Sequence, residues 1–188
     1  MKIEHLTFSY DDKQIFDDFC LDIQNGIITA LMAPSGKGKT TLLRLIAGLL
    51  TPQGGSINLQ GQSVGIMFQE PRLFGQLTVL QNVMIVIKEN CDKQKRAMDL
   101  LHTFGVAAAA DQYPEELSGG MAKRVSLARA IAYDPDVLLL DEPFSALDAE
   151  TKEYIMQATK SLLCGKTVLF VTHDVREAAA FSDCTVTI

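Results

Sequence analysis

The sequence predicts an α/β fold with a mainly parallel sheet, an N-terminal antiparallel β subdomain and an inserted helical subdomain. Three observations predict it. Two stretches of mixed apolar and polar residues flank the turn-like Asp11-Asp12-Lys13 near the start. Residues 71–116 are helical in character. From residue 119 onward, helix-like stretches alternate with dense apolar runs of strand length. Such alternation builds a parallel sheet covered by helices, because a parallel crossover needs a long connection that a helix supplies. The expected organisation is a single domain over residues 1–188, with a core and β subdomain from 1–70 and 117–188 and the helical subdomain from 71–116.

Taken in order, residues 3–10 and 15–23 read as a solvent-faced antiparallel hairpin. Asn25-Gly26 marks a tight turn. Residues 27–33 then form an apolar run of strand length, and residues 40–50 are apolar on nearly every side, as in a buried helix. A Pro- and Gly-rich break over 51–55 precedes short strands at 56–60 and 64–69. Within the helical stretch the strongest helix is 92–104, where Ala97, Leu100, Leu101 and Phe104 recur at helical spacing. The remainder reads as helix 119–132, strand 137–141, helix 151–163, strand 167–172 and helix 175–181.

With 188 residues, 47% hydrophobic and 21% charged, the chain can bury one sizeable core and lacks the composition of disorder. Its longest apolar run is five residues, for example 83–87, whereas a spanning helix needs about 20. The first residues carry neither a basic nor an apolar leader region, so a cytosolic location is expected. Cys20, Cys91, Cys164 and Cys184 are scattered without a C-x-x-C pair, which predicts reduced thiols and neither a zinc cage nor a redox dithiol. A formal net charge of −6 opposes nucleic acid as a partner.

The chemistry is concentrated in a few segments. Ala33-Pro34-Ser35-Gly36-Lys37-Gly38-Lys39-Thr40-Thr41 nearly matches the phosphate-binding pattern G-x-x-x-x-G-K-[ST]. Glycines let successive N–H groups turn inward around phosphate oxygens, and the following helix points its positive end there. Lys39 is placed to reach the outer phosphates and Thr40 to ligate Mg²⁺. Ala33 replaces the first glycine; its methyl costs about 1–2 kcal/mol if φ is positive there and little if the backbone is extended.

Val137-Leu138-Leu139-Leu140-Asp141-Glu142 is a buried strand that ends abruptly in two carboxylates. Buried carboxylates need a cation or polar partners; in this reading Asp141 holds the metal and Glu142 polarises an attacking water. Leu117-Ser118-Gly119-Gly120-Met121 opens a further helix and offers a second anion site, although a Ser-Gly-Gly sequence also serves as an ordinary N-cap.

These pieces occur together, in an order that resembles ABC ATPases over essentially the whole chain. Leu117 to Met121 is similar to the ABC signature, Gln69 to the Q-loop glutamine, Ser145-Ala146-Leu147-Asp148 to the D-loop, and His173 to the switch histidine. The resemblance implies the P-loop NTPase fold and binding of ATP with Mg²⁺. It implies nucleotide contacts from Ser35, Gly36, Lys37, Gly38, Lys39, Thr40 and Thr41, with Tyr10 stacking on adenine. Gln69 would contact metal and attacking water, and His173 would hold the γ-phosphate. Ser118, Gly119 and Gly120 would complete the site of a second subunit, in an ATP-dependent homodimer or pseudo-symmetric dimer.

The same resemblance implies transmembrane permease subunits as partners, reached through the Q-loop and helical subdomain, and a peripheral place on the cytoplasmic face of the membrane. The expected function is the ATP-hydrolysing subunit of an importer, close to the nitrate, sulfonate and taurine group. The alternatives are a soluble ATPase of the same type acting on DNA or ribosomes, and an ATP-gated regulator. Two lysines depart from the family pattern: Lys37 within the loop, and Lys123 where glutamine is usual after the signature. Both add positive charge near the proposed phosphate sites. Most members continue beyond the position of Ile188, so the expectation is either a minimal version or a chain whose last elements are missing.

Overall fold

Three apolar runs become strands buried along nearly all their length in a computed structural model that describes residues 1–34, 36–89 and 92–188. They are β3 (Ile28–Met32), β6 (Val137–Asp141) and β7 (Thr167–Thr172). Continuous apolar sequence is what a strand needs when both its faces are covered. Two shorter strands, β5 (Val64–Met67) and β8 (Cys184–Thr187), complete a five-stranded sheet of order β5-β6-β7-β3-β8. The β6–β7, β7–β3 and β3–β8 pairs are parallel, with Leu138 opposite Val168 and Val168 opposite Ile28.

The hairpin reading also holds. β1 (Lys2–Tyr10) and β2 (Lys13–Asp22) pair antiparallel, Tyr10 opposite Lys13, with bulges along the ladder. A third strand, β4 (Gly54–Asn58), adds to the other edge of β1. It begins two residues before the expected 56–60, because Gly54 and Gly55 belong to the ladder. Gly55 has φ +80°, and a Cβ there would sit 2.3 Å from the His5 carbonyl oxygen; only glycine permits that approach.

The chain divides into two compact units. The first comprises Met1–Ile66, Asp136–Asp141 and Cys164–Ile188, and holds both sheets with helices α1 (Lys39–Ile46) and α6 (Val175–Phe181). Its core gathers Ile3, Leu6 and Phe8 from β1, Leu42, Leu43 and Ile46 from α1, and Leu139 and Leu169 from the parallel sheet. Phe181 of α6 meets Phe170 of β7 edge to face at 4.9 Å. Helix α1 stops four residues short of the expected Leu50, because Gly48 turns to φ +70° and the amide of Leu49 closes back on the carbonyl of Arg44.

The second unit comprises Met67–Pro135 and Glu142–Leu163. It contains α2 (Val79–Met84), α3 (Lys93–Thr103), α4 (Gly119–Ala132) and α5 (Ala149–Leu162). Each starts where a side-chain oxygen accepts from the first turn: Thr78 in a capping box with Gln81, then Asp92, Ser118 and Asp148. Val79 and Val83 of α2, Ala97 and Leu101 of α3, and Val125 and Ala128 of α4 are fully buried. Among the described residues no helix is long and apolar enough to cross a membrane. Cys20, Cys164 and Cys184 are exposed free thiols, and Cys91 lies outside the described residues.

Candidate functional site

In the first unit, three neighbouring parallel strands end in the residues singled out from sequence. β3 runs into the glycine loop, β6 ends in Asp141, and β7 is followed by the exposed His173. In open α/β sheets, ligands bind beyond the carboxyl ends of the strands.

Two glycines of the loop use the backbone freedom that the motif calls for. Gly36 and Gly38 have φ +79° and +84°, and Gly38 is the N-cap of α1 without a side-chain partner for the first amides. A Cβ on Gly38 would come within 2.4 Å of Ile15 Cγ2 and 3.0 Å of Phe16 Cζ. Ala33 is not among the residues with positive φ, so the methyl that replaces the usual glycine carries no left-handed strain. Its carbonyl accepts from Lys39 Nζ at 2.6 Å, and that of Pro34 accepts from the same ammonium at 3.1 Å. Lys39 is thus folded onto its own loop, with two of its three donors on backbone oxygens that a phosphate can replace. Thr41 is buried, Lys37 is exposed, and Ser35 lies outside the described residues.

The decisive contact joins the loop helix to the acidic strand end. Thr40 Oγ1 donates to Asp141 Oδ2 at 2.7 Å, and Asp141 is 2% exposed. Two oxygen ligands of the kind a hard cation takes therefore lie side by side at the start of α1. Tyr10 ends β1, is 39% exposed and leans edge-on against Phe8 at 4.9 Å. After His173, Asp174 caps α6, and Thr172 Oγ1 donates to the buried Glu177 at 2.6 Å. That pair fixes the backbone on which the histidine stands.

The second unit carries the other expected residues. Glu142 takes φ +47°, a left-handed conformation that costs a non-glycine residue about 1 kcal/mol or more. Ser145 secures the turn by donating from Oγ to the Glu142 carbonyl at 2.9 Å. The Glu142 side chain accepts from Gln69 Nε2 at 3.1 Å, which brings the expected base and the expected Q-loop glutamine together. Ser118 accepts from the amide of Met121 at 3.3 Å and is exposed with Gly119. A Cβ on Gly119 would meet nothing, whereas one on Gly120 would lie 3.4 Å from the Ala146 carbonyl. Ala146 is itself left-handed, at φ +63°. Asp148, which caps α5, has its carboxyl held below the usual range by the backbone amide of Thr151.

A set of polar residues whose roles the sequence did not reveal holds the segment after Gln69. Asn82, fully buried on α2, accepts from the Phe74 amide and donates to the carbonyls of Phe74, Leu77 and Thr78 at 3.0–3.1 Å. Arg129 of α4 donates to the carbonyls of Pro71 and Arg72, each at 3.0 Å, and its partial burial lowers its pKa. Lys123, also on α4, donates to the Gln69 carbonyl at 2.5 Å and is 3% exposed. Nothing in a single sequence separates these polar residues from solvated ones.

A family model described as "ABC transporter" matches residues 16–145. The aliphatic sulfonates import ATP-binding protein of Rhodococcus jostii is 44% identical over 181 residues, covering 93% of this chain and 73% of that protein. The sulfate/thiosulfate import ATP-binding protein of Rhizobium meliloti is 38% identical over 203 residues, covering 97% of this chain and 55% of that protein. The chain therefore spans little more than half the length of the latter relative. A solved chain, from the dimeric ATP-binding cassette MJ0796 in a post-hydrolysis state bound to ADP and Pi, superposes with a TM-score of 0.87 at 31% identity, covering 100% of this chain and 93% of that one.

Proposed function

We propose, on the premise that this chain belongs to the ABC transporter family, that it binds and hydrolyses ATP to power solute import through separate membrane subunits. The observation that carries the reading is the 2.7 Å contact of Thr40 with Asp141 beneath a glycine loop that has Lys39 folded over it. Loop amides and Lys39 bind the phosphate tail, Tyr10 stacks on the base, and Thr41 supports the loop at the helix start. Two oxygen donors fit Mg²⁺. Mg²⁺ commonly takes one or two protein oxygens and completes its shell with water and substrate phosphates. When bound, Mg²⁺ neutralises charge on those phosphates. Thr40 and Asp141 would hold the ion, and Gln69 would be the further oxygen ligand that membership of the family implies.

Glu142 accepts the proton of the attacking water, and His173 holds the γ-phosphate. Ser118, Gly119 and Gly120 complete the nucleotide site of a second copy or a close relative, which makes the active form a dimer. The loop after Gln69 and the helices around it dock the permease, which places the chain at the cytoplasmic face of the membrane. The import names of the relatives support sulfate- and sulfonate-type anions as the solute class. Glu142→Gln tests the assignment: ATP binding is retained, and phosphate release falls by roughly 10²-fold or more, the usual worth of a general base. Unchanged turnover would remove Glu142 from the mechanism.

A further inference from the structure

We propose that Lys123 is a positioning residue that sets where Gln69 presents its side chain to Glu142. The inference rests on the ATPase reading above and concerns one helix of the second unit. Lys123 lies on the second turn of α4, five residues after the Ser118 cap. Sequence alone leaves it free to serve as a cation for phosphate. Its ammonium is instead turned inward: the residue is 3% exposed and Nζ stands 2.5 Å from the Gln69 carbonyl oxygen. The same Gln69 donates from Nε2 to Glu142 Oε2 at 3.1 Å. One residue is thus gripped by its backbone and points its amide at the proposed base.

The neighbouring grips do different work. Arg129 holds the carbonyls of Pro71 and Arg72, and Asn82 those of Phe74, Leu77 and Thr78. Those contacts fix the loop downstream, while Lys123 fixes the residue that reaches Glu142. Gln69 itself is exposed, so packing alone does not hold its side chain. An ammonium donating to a carbonyl is a charge-assisted hydrogen bond, shorter and stronger than a neutral one. Proton transfer depends steeply on placement, and a shift of about 1 Å can cost roughly 10²-fold in rate.

The test is a double-mutant cycle in phosphate release by the purified full chain, with circular dichroism to confirm folding. Lys123→Met keeps the length of the side chain and removes its donors; kcat is expected to fall about tenfold with KM for ATP within about twofold. In a Gln69→Ala background the same substitution is expected to cost less than about twofold, because a residue that acts through Gln69 has nothing left to position. Lys123→Gln retains a donor and is expected to keep at least about half of the wild-type kcat.

Wild-type kcat in Lys123→Met, or the full loss repeated in the Gln69→Ala background, would overturn the proposal. If Lys123→Met does not fold, Lys123→Gln decides: half the rate or more supports positioning, and a tenfold loss in a folded protein overturns it. A wild-type chain that binds ATP but releases no phosphate would overturn the proposed ATPase and this inference with it. Turnover without coupling between positions 123 and 69 would overturn this inference alone.

Discussion

Replacing Thr40 by valine removes one hydroxyl and leaves the β-branched shape of the side chain in place. The hydroxyl donates to a carboxylate oxygen at 2.7 Å, and that carboxylate belongs to a residue only 2% exposed. A hydrogen bond to a charged group contributes about 1.5–3 kcal/mol. For a chain of this size, about 1 kcal/mol moves Tm by about 2–4 °C, which gives a loss of about 3–12 °C in the nucleotide-free protein. The same oxygen is a proposed Mg²⁺ ligand, and losing it raises the Mg²⁺ concentration for half-maximal ATPase activity by roughly tenfold or more, a change of about 1.4 kcal/mol. Thr40→Ser keeps the oxygen and is expected to restore the Mg²⁺ dependence. Thermal melts followed by circular dichroism and Mg²⁺ titrations of phosphate release read the two effects separately. A valine variant with wild-type Tm and wild-type Mg²⁺ dependence would refute both the contact's energetic role and the metal assignment.

Gly38→Ala places a methyl at φ +84° and within 2.4 Å of Ile15; the backbone term alone costs about 1–2 kcal/mol. ATP affinity, measured by titration with a fluorescent analogue, is expected to fall about tenfold or more as the loop shifts to relieve the clash, and equal affinity would count against the loop geometry. Asn82→Ala removes four hydrogen bonds to the segment from Phe74 to Thr78. The expected cost is about 2–4 kcal/mol, seen as a lower Tm together with faster proteolysis within that segment; a Tm shift under about 2 °C would show that water replaces the amide.

What could be read from sequence follows from how strongly each element had to declare itself. β3, β6 and β7 are buried on both faces, so their sequences are dominated by apolar residues and stand out. β8, Cys184-Thr185-Val186-Thr187, lies at the sheet edge with three of its four residues exposed, and its polar composition gave no strand signal. Helix α2 has only six residues, too few for a helical period to register, and its capping box is its main local mark. The glycine loop, Asp141 and Glu142 were legible because glycine at a strand-to-helix turn and paired carboxylates at the end of an apolar strand each require a chemical reason. The left-handed backbone of Glu142 and Ala146 was not, since neither residue type favours that region and surrounding structure imposes it.

The two lysines that depart from the family pattern show where sequence reading stops. Both add a positive charge next to a glycine-containing helix start, and by that criterion they are equivalent. Lys37 is exposed, so solvent and salt screen its charge over about 8–10 Å, and its effect on bound phosphate is a modest electrostatic one. Lys123 is buried with its donor on a backbone carbonyl, where the charge is poorly screened and the geometry is fixed. A buried ammonium without partners is costly, so the fold around Lys123 must supply acceptors, and the carbonyl of Gln69 is one of them. The departure at position 123 therefore belongs to the arrangement of the Q-loop segment, whereas the departure at position 37 belongs to the surface of the phosphate loop.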